Sequence, residues 1–301
     1  MLYTKTPCMG KISKFTLGTV QLGMNYGMAN ATGQPSREQA FEILDAAAAV
    51  GIDSLDTAVA YGTSEQVIGE YLDQSQNRFF VTSKFKVGDE EPEKDLALKK
   101  SLTEAHLGKV DLYFFHDGQN MIRYANRLEE PMRRMQEEGF TRYLGASVYE
   151  VEEIEAFLEY DWLKGIQVPM NILDDRIVRS GLLAELEKRG VTVFVRSVFL
   201  QGLLCMDQVP EKYEFLAPYV AELRDVAKAE EMSLKELSVS YIRDLPGISS
   251  LVLGCETVEQ VRQNAELINV KRISEAGTDA IRAIAGKVPI EEAMLRILGK
   301  K

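Results

Sequence analysis

Four side chains that together could deliver a proton are spread over the first half of the chain. Asp56 and Tyr61 lie five residues apart in the stretch SLDTAVAYG, residues 54–62, and Lys84 and His116 follow further on. Asp56, Lys84 and His116 each come at the end of a short run that has the composition of a β-strand. The carboxyl ends of parallel strands meet at one end of a barrel, so we expect the four side chains to share one pocket.

These residue types suit the protonation of an oxygen that is gaining negative charge. A phenol such as Tyr61 has an ordinary pKa of about 10 and needs help to act near neutral pH. A neighbouring Lys84 ammonium would stabilise the phenolate, and Asp56 would hold that ammonium by a charge-assisted hydrogen bond. His116 would orient a carbonyl group or relay the proton. The set therefore predicts a site that protonates a carbonyl oxygen as hydride arrives at its carbon.

Each of these residues also has a structural interpretation. Asp56 could cap a helix, Lys84 could be a solvated charge, and Tyr61 could serve packing. His116 carries more weight because the chain has only two histidines. The other, His106, falls in the last turn of a predicted helix, where a cation suits the helix dipole, and we interpret it as structural. The joint occurrence of all four residues at the expected strand ends favours the catalytic interpretation.

The elements that would position these residues form a regular alternation of strands and helices. Strand-like runs fall at residues 14–17, 53–55, 79–83, 110–115, 142–146, 165–168, 191–195 and 249–253. Amphipathic segments fall at residues 36–50, 64–72, 93–106, 124–138, 151–159, 177–188, 216–230 and 234–243, after residue 257 and again from residue 273. This pattern predicts an α/β protein, a single-domain (β/α)8 TIM barrel over residues 1–301 with extra helices at the C-terminus. The alternative is a doubly wound sheet with a second domain, but no GxGxxG turn follows the first strand.

The composition argues against several other classes of function. The chain of 301 residues has a net charge of −11, which disfavours a nucleic-acid partner. No apolar run approaches the length of a membrane span, and residues 1–15 lack the apolar core of a signal peptide, so we expect a cytoplasmic protein. Three scattered cysteines without CxxC spacing indicate reduced thiols and predict neither a disulfide framework nor a metal site. The oligomeric state is left open.

Six segments together resemble the aldo-keto reductase superfamily, and they occur in that superfamily's order over nearly the whole chain. They are Leu17-Gly18-Thr19, Asp56-Thr57-Ala58-x-x-Tyr61-Gly62, Thr82-Ser83-Lys84, Asp111-Leu112-Tyr113-x-x-His116, Gly145-Ala146-Ser147 and Gly254…Asn264. The resemblance implies a TIM barrel that binds NADP(H) in an extended form at the carboxyl ends of its strands. It also implies that Tyr61 is the general acid and base, that Lys84 and Asp56 tune it, and that His116 orients the substrate.

The resemblance further implies a set of cofactor contacts. Ser147 and Gln167 fall where the superfamily binds the nicotinamide carboxamide, and a helix that begins near Thr257 would offer its N-terminus to phosphate. The expected cofactor residues are Gly18, Thr19, Val20, Asp56, Ser147, Gln167, Arg196, Ser197, Val198, Phe199, Gln201, Gly202, Gly254, Glu256, Gln260, Gln263 and Asn264. The expected substrate pocket consists of Met24, Tyr26, His116 and Asn171.

Several positions depart from the superfamily's pattern. Val148 stands where an Asn commonly follows the serine, and Arg196 stands where a Tyr often stacks on the nicotinamide, although a guanidinium plane can stack in the same way. Gly254 and Gln260 stand where basic residues often hold the 2′-phosphate, and Glu256 adds a carboxylate nearby. The resemblance therefore favours NADP(H), while the local charge leaves NAD(H) open.

These observations predict an NAD(P)H-dependent oxidoreductase that reduces an aldehyde or ketone to the alcohol. Residues 18–27 and 167–171 resemble a bacterial subgroup, for which a small sugar-like carbonyl compound is a candidate substrate. One alternative is a cofactor-binding sensor or regulatory barrel with little turnover. Another is a lyase or epimerase that forms a Schiff base on Lys84.

Overall fold

The computed structural model of the protein describes residues 1–27, 30 and 32–297. Its strands are β1 (Tyr3–Thr6), β2 (Gly10–Ser13), β3 (Phe15–Gly18), β4 (Ser54–Asp56), β5 (Phe80–Phe85), β6 (Val110–Phe115), β7 (Thr141–Ser147), β8 (Gly165–Pro169), β9 (Thr192–Arg196) and β10 (Ile248–Gly254). The first two strands form an antiparallel hairpin. The other eight are parallel and close into a barrel in the order β10-β3-β4-β5-β6-β7-β8-β9, which confirms the predicted TIM barrel.

Helices follow the barrel strands and surround them. They are α1 (Val20–Gly23), α2 (Arg37–Ala49), α3 (Ser64–Gln74), α4 (Pro92–Leu107), α5 (Gly118–Glu137), α6 (Val151–Phe157), α7 (Arg176–Arg179), α8 (Leu182–Lys188), α9 (Ala217–Ala229), α10 (Leu234–Arg243), α11 (Val258–Leu267), α12 (Glu275–Ala285) and α13 (Ile290–Ile297). Two 3-10 helices, Leu200–Cys205 and Glu211–Leu216, lie between β9 and α9. No helix in the described part of the chain combines the length and the apolar character needed to cross a membrane.

A small apolar core lies inside the barrel, apart from the large core between strands and helices. Leu112 and Phe114 of β6 and Phe194 of β9 pack there against Met9 and Ile12 of the β1–β2 hairpin. All five side chains are at least 95% buried. The hairpin therefore closes the N-terminal end of the barrel, while the carboxyl ends of the strands are left for the site.

Local interactions explain where the helices differ from the predicted ones. Helix α5 begins at Gly118, six residues earlier than predicted, because the Asp117 side chain caps it by accepting a hydrogen bond from the Asn120 N–H at 2.7 Å. The helix predicted over residues 177–188 is two helices, α7 and α8, because the chain turns at Gly181, whose φ of 78° is left-handed. The N-terminal hairpin was not predicted, since its two strands are short and largely polar.

Candidate active site

Asp56, at the end of β4, is the centre of a buried hydrogen-bond cluster. Lys84 Nζ donates to Asp56 Oδ2 at 2.8 Å and to the Thr57 carbonyl oxygen at 2.9 Å. Thr82 Oγ1 and Gln167 Nε2 both donate to Asp56 Oδ1 at 2.8 Å. Asp56 is 4% exposed and Lys84 is 1% exposed. Donors from β5 and β8 thus fix the carboxylate, and the ion pair lies away from water.

Tyr61 lies on the loop between β4 and α3, with its hydroxyl 3.5 Å from Lys84 Nζ. The backbone of this loop is tied to β5, because the Val59 N–H donates to the Lys84 carbonyl oxygen at 3.0 Å. Gly23 lies directly against it: a Cβ at Gly23 would stand 1.8 Å from the Tyr61 carbonyl oxygen, so no other residue fits there. These contacts aim the phenol at the Lys84 ammonium.

His116, at the end of β6, meets Tyr61 edge to face. The ring centroids are 5.8 Å apart and the ring planes are at 82°. The backbone N–H of His116 donates to the Phe85 carbonyl oxygen at 2.7 Å, which extends the β5–β6 pairing by one residue. Burial lowers the pKa of His116 to about 4, and the positive charge of Lys84 is the second largest cause. The imidazole is therefore neutral at pH 7 and carries one N–H that can donate a hydrogen bond.

Burial also determines the protonation of Tyr61 and Lys84. Burial, with a smaller contribution from Asp56, raises the pKa of Tyr61 above its ordinary value, so the resting phenol keeps its proton near neutral pH. Burial lowers the pKa of Lys84, and Asp56 acts in the opposite direction. The shift in the pKa of Tyr61 is thus opposite to the one expected from the Lys84 ammonium alone, because burial raises this pKa and Asp56 adds to the effect.

Tyr61, His116 and Asp56 face a cavity of about 610 Å³ at the carboxyl ends of the barrel strands. A cavity of this size, lined by both polar and apolar groups, is typical of a small-molecule or cofactor site. Twenty residues of the predicted site line it: Gly18, Thr19, Val20, Tyr26, Asp56, Tyr61, His116, Ser147, Gln167, Arg196, Ser197, Val198, Phe199, Gln201, Gly202, Gly254, Glu256, Gln260, Gln263 and Asn264.

Three residues of the predicted site do not line this cavity. Asn171 is fully buried, and its side chain accepts a hydrogen bond from the Leu173 N–H at 2.9 Å, which closes a turn after β8. Met24 follows α1 and is 39% exposed. Lys84 lies behind Asp56 and Tyr61 with its ammonium fully engaged. That position argues against a Schiff base on Lys84, because the nitrogen is neither free nor accessible.

Eight lining residues were not among the predicted ones: Gln21, Gly27, Tyr149, Leu200, Cys205, Lys235, Val252 and Leu253. Two of these residues could have been predicted, because they lie close in sequence to predicted site residues. Gln21 continues the loop that follows the first barrel strand, and Tyr149 follows Ser147 by two residues. Lys235 is the second residue of α10, and its presence on the wall depends on how α10 packs against the 3-10 helix Leu200–Cys205.

Arg196 brings a half-buried cation to the wall of the cavity. Its guanidinium stacks on the Tyr149 ring, 4.1 Å from the ring centroid, and Nη2 donates to the Val148 carbonyl oxygen at 2.9 Å. The loop that follows has three non-glycine residues in the left-handed region, namely Ser197, Leu200 and Gln201 with φ of 63°, 49° and 54°. Such backbone is costly, by about 1–3 kcal/mol per residue, and is typical of loops shaped by a ligand.

The sequence from residue 14 to residue 285 matches the Aldo/keto reductase family. The chain belongs to this family. The chain of this aldo-keto reductase is 27% identical to the uncharacterized oxidoreductase YqkF of Bacillus subtilis over 90% of its own length and 92% of that protein. It is 25% identical to the NADH-specific methylglyoxal reductase of Escherichia coli over 91% and 95% of the two chains.

Solved structures share the fold of this aldo-keto reductase. The aldo-keto reductase AKR11C1 of Bacillus halodurans superposes with a TM-score of 0.79 at 21% identity and covers 94% of this chain and 96% of its own. Membership of the family supports an NAD(P)H-dependent oxidoreductase that acts on carbonyl compounds in general.

The cavity of this aldo-keto reductase suits a nicotinamide dinucleotide. Ser147 and Gln167 are paired in register at the ends of β7 and β8, and both face the cavity beside Asp56. Gln21 lines the same cavity, is 8% exposed, and has a buried Oε1 without a hydrogen-bond partner among the described residues. An unpaired buried acceptor is costly and calls for a donor from a ligand. Ser147 and Gln167 are placed to hold a carboxamide beside Asp56, and the Gln21 amide oxygen is placed to accept a hydrogen bond from the same molecule.

The lowered pKa of His116 predicts a loss of stability in acid. The folded pKa of about 4 lies below the ordinary 6.5, so the unfolded chain binds more protons between these values. We therefore expect this contribution to the free energy of unfolding to be complete above pH 6.5 and to disappear as the pH falls through 4. NMR titration of the His116 ring protons measures the midpoint, with a His106→Gln variant for assignment. A midpoint near 6.5 would contradict the burial argument.

Proposed function

We propose that the protein is an NAD(P)H-dependent reductase of small aldehydes or ketones in which Tyr61 donates the proton. One observation carries the proposal: Lys84 Nζ lies 2.8 Å from Asp56 Oδ2 and 3.5 Å from Tyr61 Oη, and the phenol faces the cavity. A buried ammonium beside a phenol stabilises the phenolate that proton transfer leaves behind. We place the protein in the cytoplasm and take a small carbonyl compound as its partner.

The residues then have distinct roles in the reaction. NAD(P)H, when bound, supplies the hydride to the carbonyl carbon. As the carbonyl π electrons move to oxygen, the Tyr61 proton passes to that oxygen and a phenolate is left beside Lys84. Asp56 holds the ammonium in place, and the neutral His116 donates a hydrogen bond to the carbonyl oxygen. A proton from solvent returns to Tyr61 after the alcohol leaves.

The names of several relatives bear on the substrate class and on the form of the cofactor. The relative named as a methylglyoxal reductase and another named as an L-glyceraldehyde 3-phosphate reductase support a small oxygen-rich or sugar-like carbonyl substrate. Relatives named as NADH-specific and as NAD(P)H-dependent support a nicotinamide dinucleotide without fixing the 2′-phosphate. The resemblance favours NADP(H), while Glu256 on the cavity wall keeps NAD(H) as the alternative.

The second candidate is a sensor or regulatory barrel with little turnover, and the altered wall at Val148 and Arg196 favours it. Arg196 stands where the superfamily often stacks a Tyr on the nicotinamide, and its guanidinium is held by Tyr149 and the Val148 carbonyl. A single-turnover experiment separates the two functions. Protein loaded with NADH or NADPH is mixed with a panel of aldehydes and sugars, and cofactor oxidation is followed by absorbance.

We expect at least one small aldehyde or sugar to oxidise the bound cofactor in a single exponential. Tight cofactor binding with no oxidation by any carbonyl compound would support the sensor instead. Failure of both cofactors to bind, measured by calorimetry, would contradict both functions.

A further inference from the structure

The reactive end of the cavity holds a cation to which the proposed mechanism gives no role. Arg196 is the last residue of β9 and lies two positions beyond Phe194, whose side chain points into the barrel. Side chains two positions apart on a strand face the same side, so the Arg196 side chain is directed into the mouth of the barrel, where it lines the cavity. Because Phe194 is paired in register with Gln167, Arg196 lies one layer nearer to the mouth than Gln167.

The guanidinium of Arg196 keeps hydrogen-bond donors that no described residue accepts. Nη2 donates to the Val148 carbonyl oxygen at 2.9 Å, and Nη1 lies 3.4 Å from Ser197 Oγ. The guanidinium lies over the ring of Tyr149, with Cζ 4.1 Å from the ring centroid, a cation–π contact that holds it in place. A guanidinium has five N–H groups. Three of them therefore remain without an acceptor in the described part of the chain.

No carboxylate balances the charge of Arg196. Among the described residues, no Asp or Glu forms an ion pair with its guanidinium, whose polar partners are a backbone carbonyl and a hydroxyl. Asp56, after β4, and Asp117, after β6, are each paired with a lysine, at 2.8 Å and 2.9 Å. Glu256, the other acidic residue of the cavity wall, is bound by a glutamine of α11. Since His116 is neutral, Arg196 gives the reactive end a net positive charge.

The charge of Arg196 reaches the groups that would contact the substrate. Burial raises the pKa values of Tyr61 and Tyr26, and in both cases the Arg196 charge acts in the opposite direction. Burial lowers the pKa of His116, and Arg196 adds to this effect. Tyr61 and His116 are the groups placed to bind the carbonyl oxygen, and Tyr26 lines the same cavity. Such an interaction falls off with distance, so the guanidinium and the reacting carbonyl group would share one end of the cavity.

We propose that the substrate is a small carbonyl compound that carries a carboxylate or phosphate group, and that Arg196 binds this group. The inference rests on the reductase function proposed above. A planar guanidinium with unused N–H groups binds either anion by two parallel hydrogen bonds. The carbonyl oxygen of the same molecule then accepts hydrogen bonds from Tyr61 and His116. A neutral aldehyde leaves the half-buried cation without a partner, which is unfavourable.

Two matched pairs of aldehydes test the charge preference. Glyceraldehyde 3-phosphate is compared with glyceraldehyde, and succinic semialdehyde with its methyl ester, at a saturating concentration of NADH or NADPH. We expect the anionic member of at least one pair to have a kcat/KM that is about tenfold to a hundredfold higher, the usual effect of hydrogen bonds to a charged group. The pair with the larger ratio identifies the anionic group as phosphate or carboxylate.

Variants at two arginines assign the preference to one side chain. Arg196→Gln should bring the ratio of the kcat/KM values close to one, and Arg196→Lys, which keeps the charge but loses the planar fork, should retain part of the preference. Arg142→Gln makes the same change on a side chain that is 63% exposed near the start of β7, at the opposite end of the barrel, and should leave the ratio unchanged. Tm values confirm that the variants fold.

A binding measurement gives a readout that does not depend on turnover. Calorimetry on the full-length protein, with and without the oxidised cofactor, gives the Kd values of glycerol 3-phosphate and glycerol. If the anion is a phosphate, glycerol 3-phosphate should bind about tenfold or more tightly, and Arg196→Gln should remove the difference. For a carboxylate, 4-hydroxybutanoate and its methyl ester take the place of this pair.

Several outcomes would overturn the proposal. One is an equal or higher kcat/KM for the neutral member of both pairs. Another is an equal loss for both members in Arg196→Gln together with a weaker Kd for the cofactor, which would assign the guanidinium to the nicotinamide. A third is a preference lost in Lys235→Gln but kept in Arg196→Gln, since Lys235 also lines the cavity.

Failure of the proposed function gives a different result. If neither pair of aldehydes, nor any other carbonyl compound, oxidises the cofactor, the reductase is rejected. A calorimetric preference for the anionic alcohol that Arg196→Gln removes would then sustain the anion site without the reductase. Absence of that preference would reject both.

Discussion

The Tyr61→Phe variant is expected to lose about 10²–10⁴-fold in kcat while its affinity for the cofactor changes less than about twofold. The substitution removes only the hydroxyl that lies 3.5 Å from Lys84 Nζ, and the ring that meets His116 edge to face is kept. Binding of the cofactor depends on the wall of the cavity, but protonation of the substrate oxygen depends on that hydroxyl. Steady-state kinetics with the best substrate and calorimetry with the cofactor measure the two effects.

A matched control distinguishes the loss of chemistry from the loss of a tyrosine hydroxyl. Tyr143 Oη donates to the Cys8 carbonyl oxygen at 2.7 Å, at the opposite end of the barrel. Tyr143→Phe should leave kcat within about threefold, because it costs only one net hydrogen bond of stability. If Tyr61→Phe keeps turnover within about tenfold of the unmodified protein, Tyr61 is not the proton donor.

Lys84→Met is expected to lower the free energy of unfolding by about 3–5 kcal/mol and to abolish turnover. The variant leaves the Asp56 carboxylate 4% exposed with no counter-charge, although Thr82 and Gln167 still donate to it. A buried charge without its partner is far more costly than the intact pair. Urea unfolding followed by circular dichroism gives the free energy, and the cofactor oxidation assay gives the turnover.

The double variant Asp56→Asn/Lys84→Met tests the cause of that loss. It removes both charges, so we expect it to recover most of the stability while remaining inactive. Lys94→Met serves as the control, because Lys94 pairs with Glu91 at the surface with 77% of its side chain exposed, and its loss should cost less than about 1 kcal/mol. If the double variant is as unstable as Lys84→Met, an unpaired Asp56 charge does not explain the loss.

The reactive end of the cavity could be predicted because it depends on strand ends alone. Asp56, Lys84 and His116 come at the ends of β4, β5 and β6, which are neighbours in the barrel. A parallel barrel brings such positions together whatever the loops do, so a correct strand assignment is sufficient. The same reasoning explains why Ser147, Gln167 and Arg196, at the ends of the next three strands, also line the cavity.

The rest of the site depends on loop conformations and on long-range packing, which a local sequence pattern does not predict. Asn171 was expected in the pocket, but its side chain closes a turn, which is an alternative use of the same polar group. Lys235 reaches the cavity only because α10 packs against the strained segment after β9. The position of Gln21 on the first loop can be read from the sequence, but the packing of its side chain against Gly254, more than two hundred positions away, cannot. Long-range packing of this kind has no signature in a single sequence.

The β1–β2 hairpin at the N-terminal end of the barrel also determines from which side small molecules reach the cavity. Because the β1–β2 hairpin closes the N-terminal end with Met9 and Ile12, the cavity beside Tyr61 opens, as far as the described residues show, at the carboxyl ends of the strands. A dinucleotide that extends from Asp56 to Asn264 would occupy much of that mouth. Since the cofactor and the carbonyl substrate would enter by the same opening, the residence time of one depends on that of the other. The loop from Ser197 to Cys205 lines this opening and is placed to influence the dissociation of both.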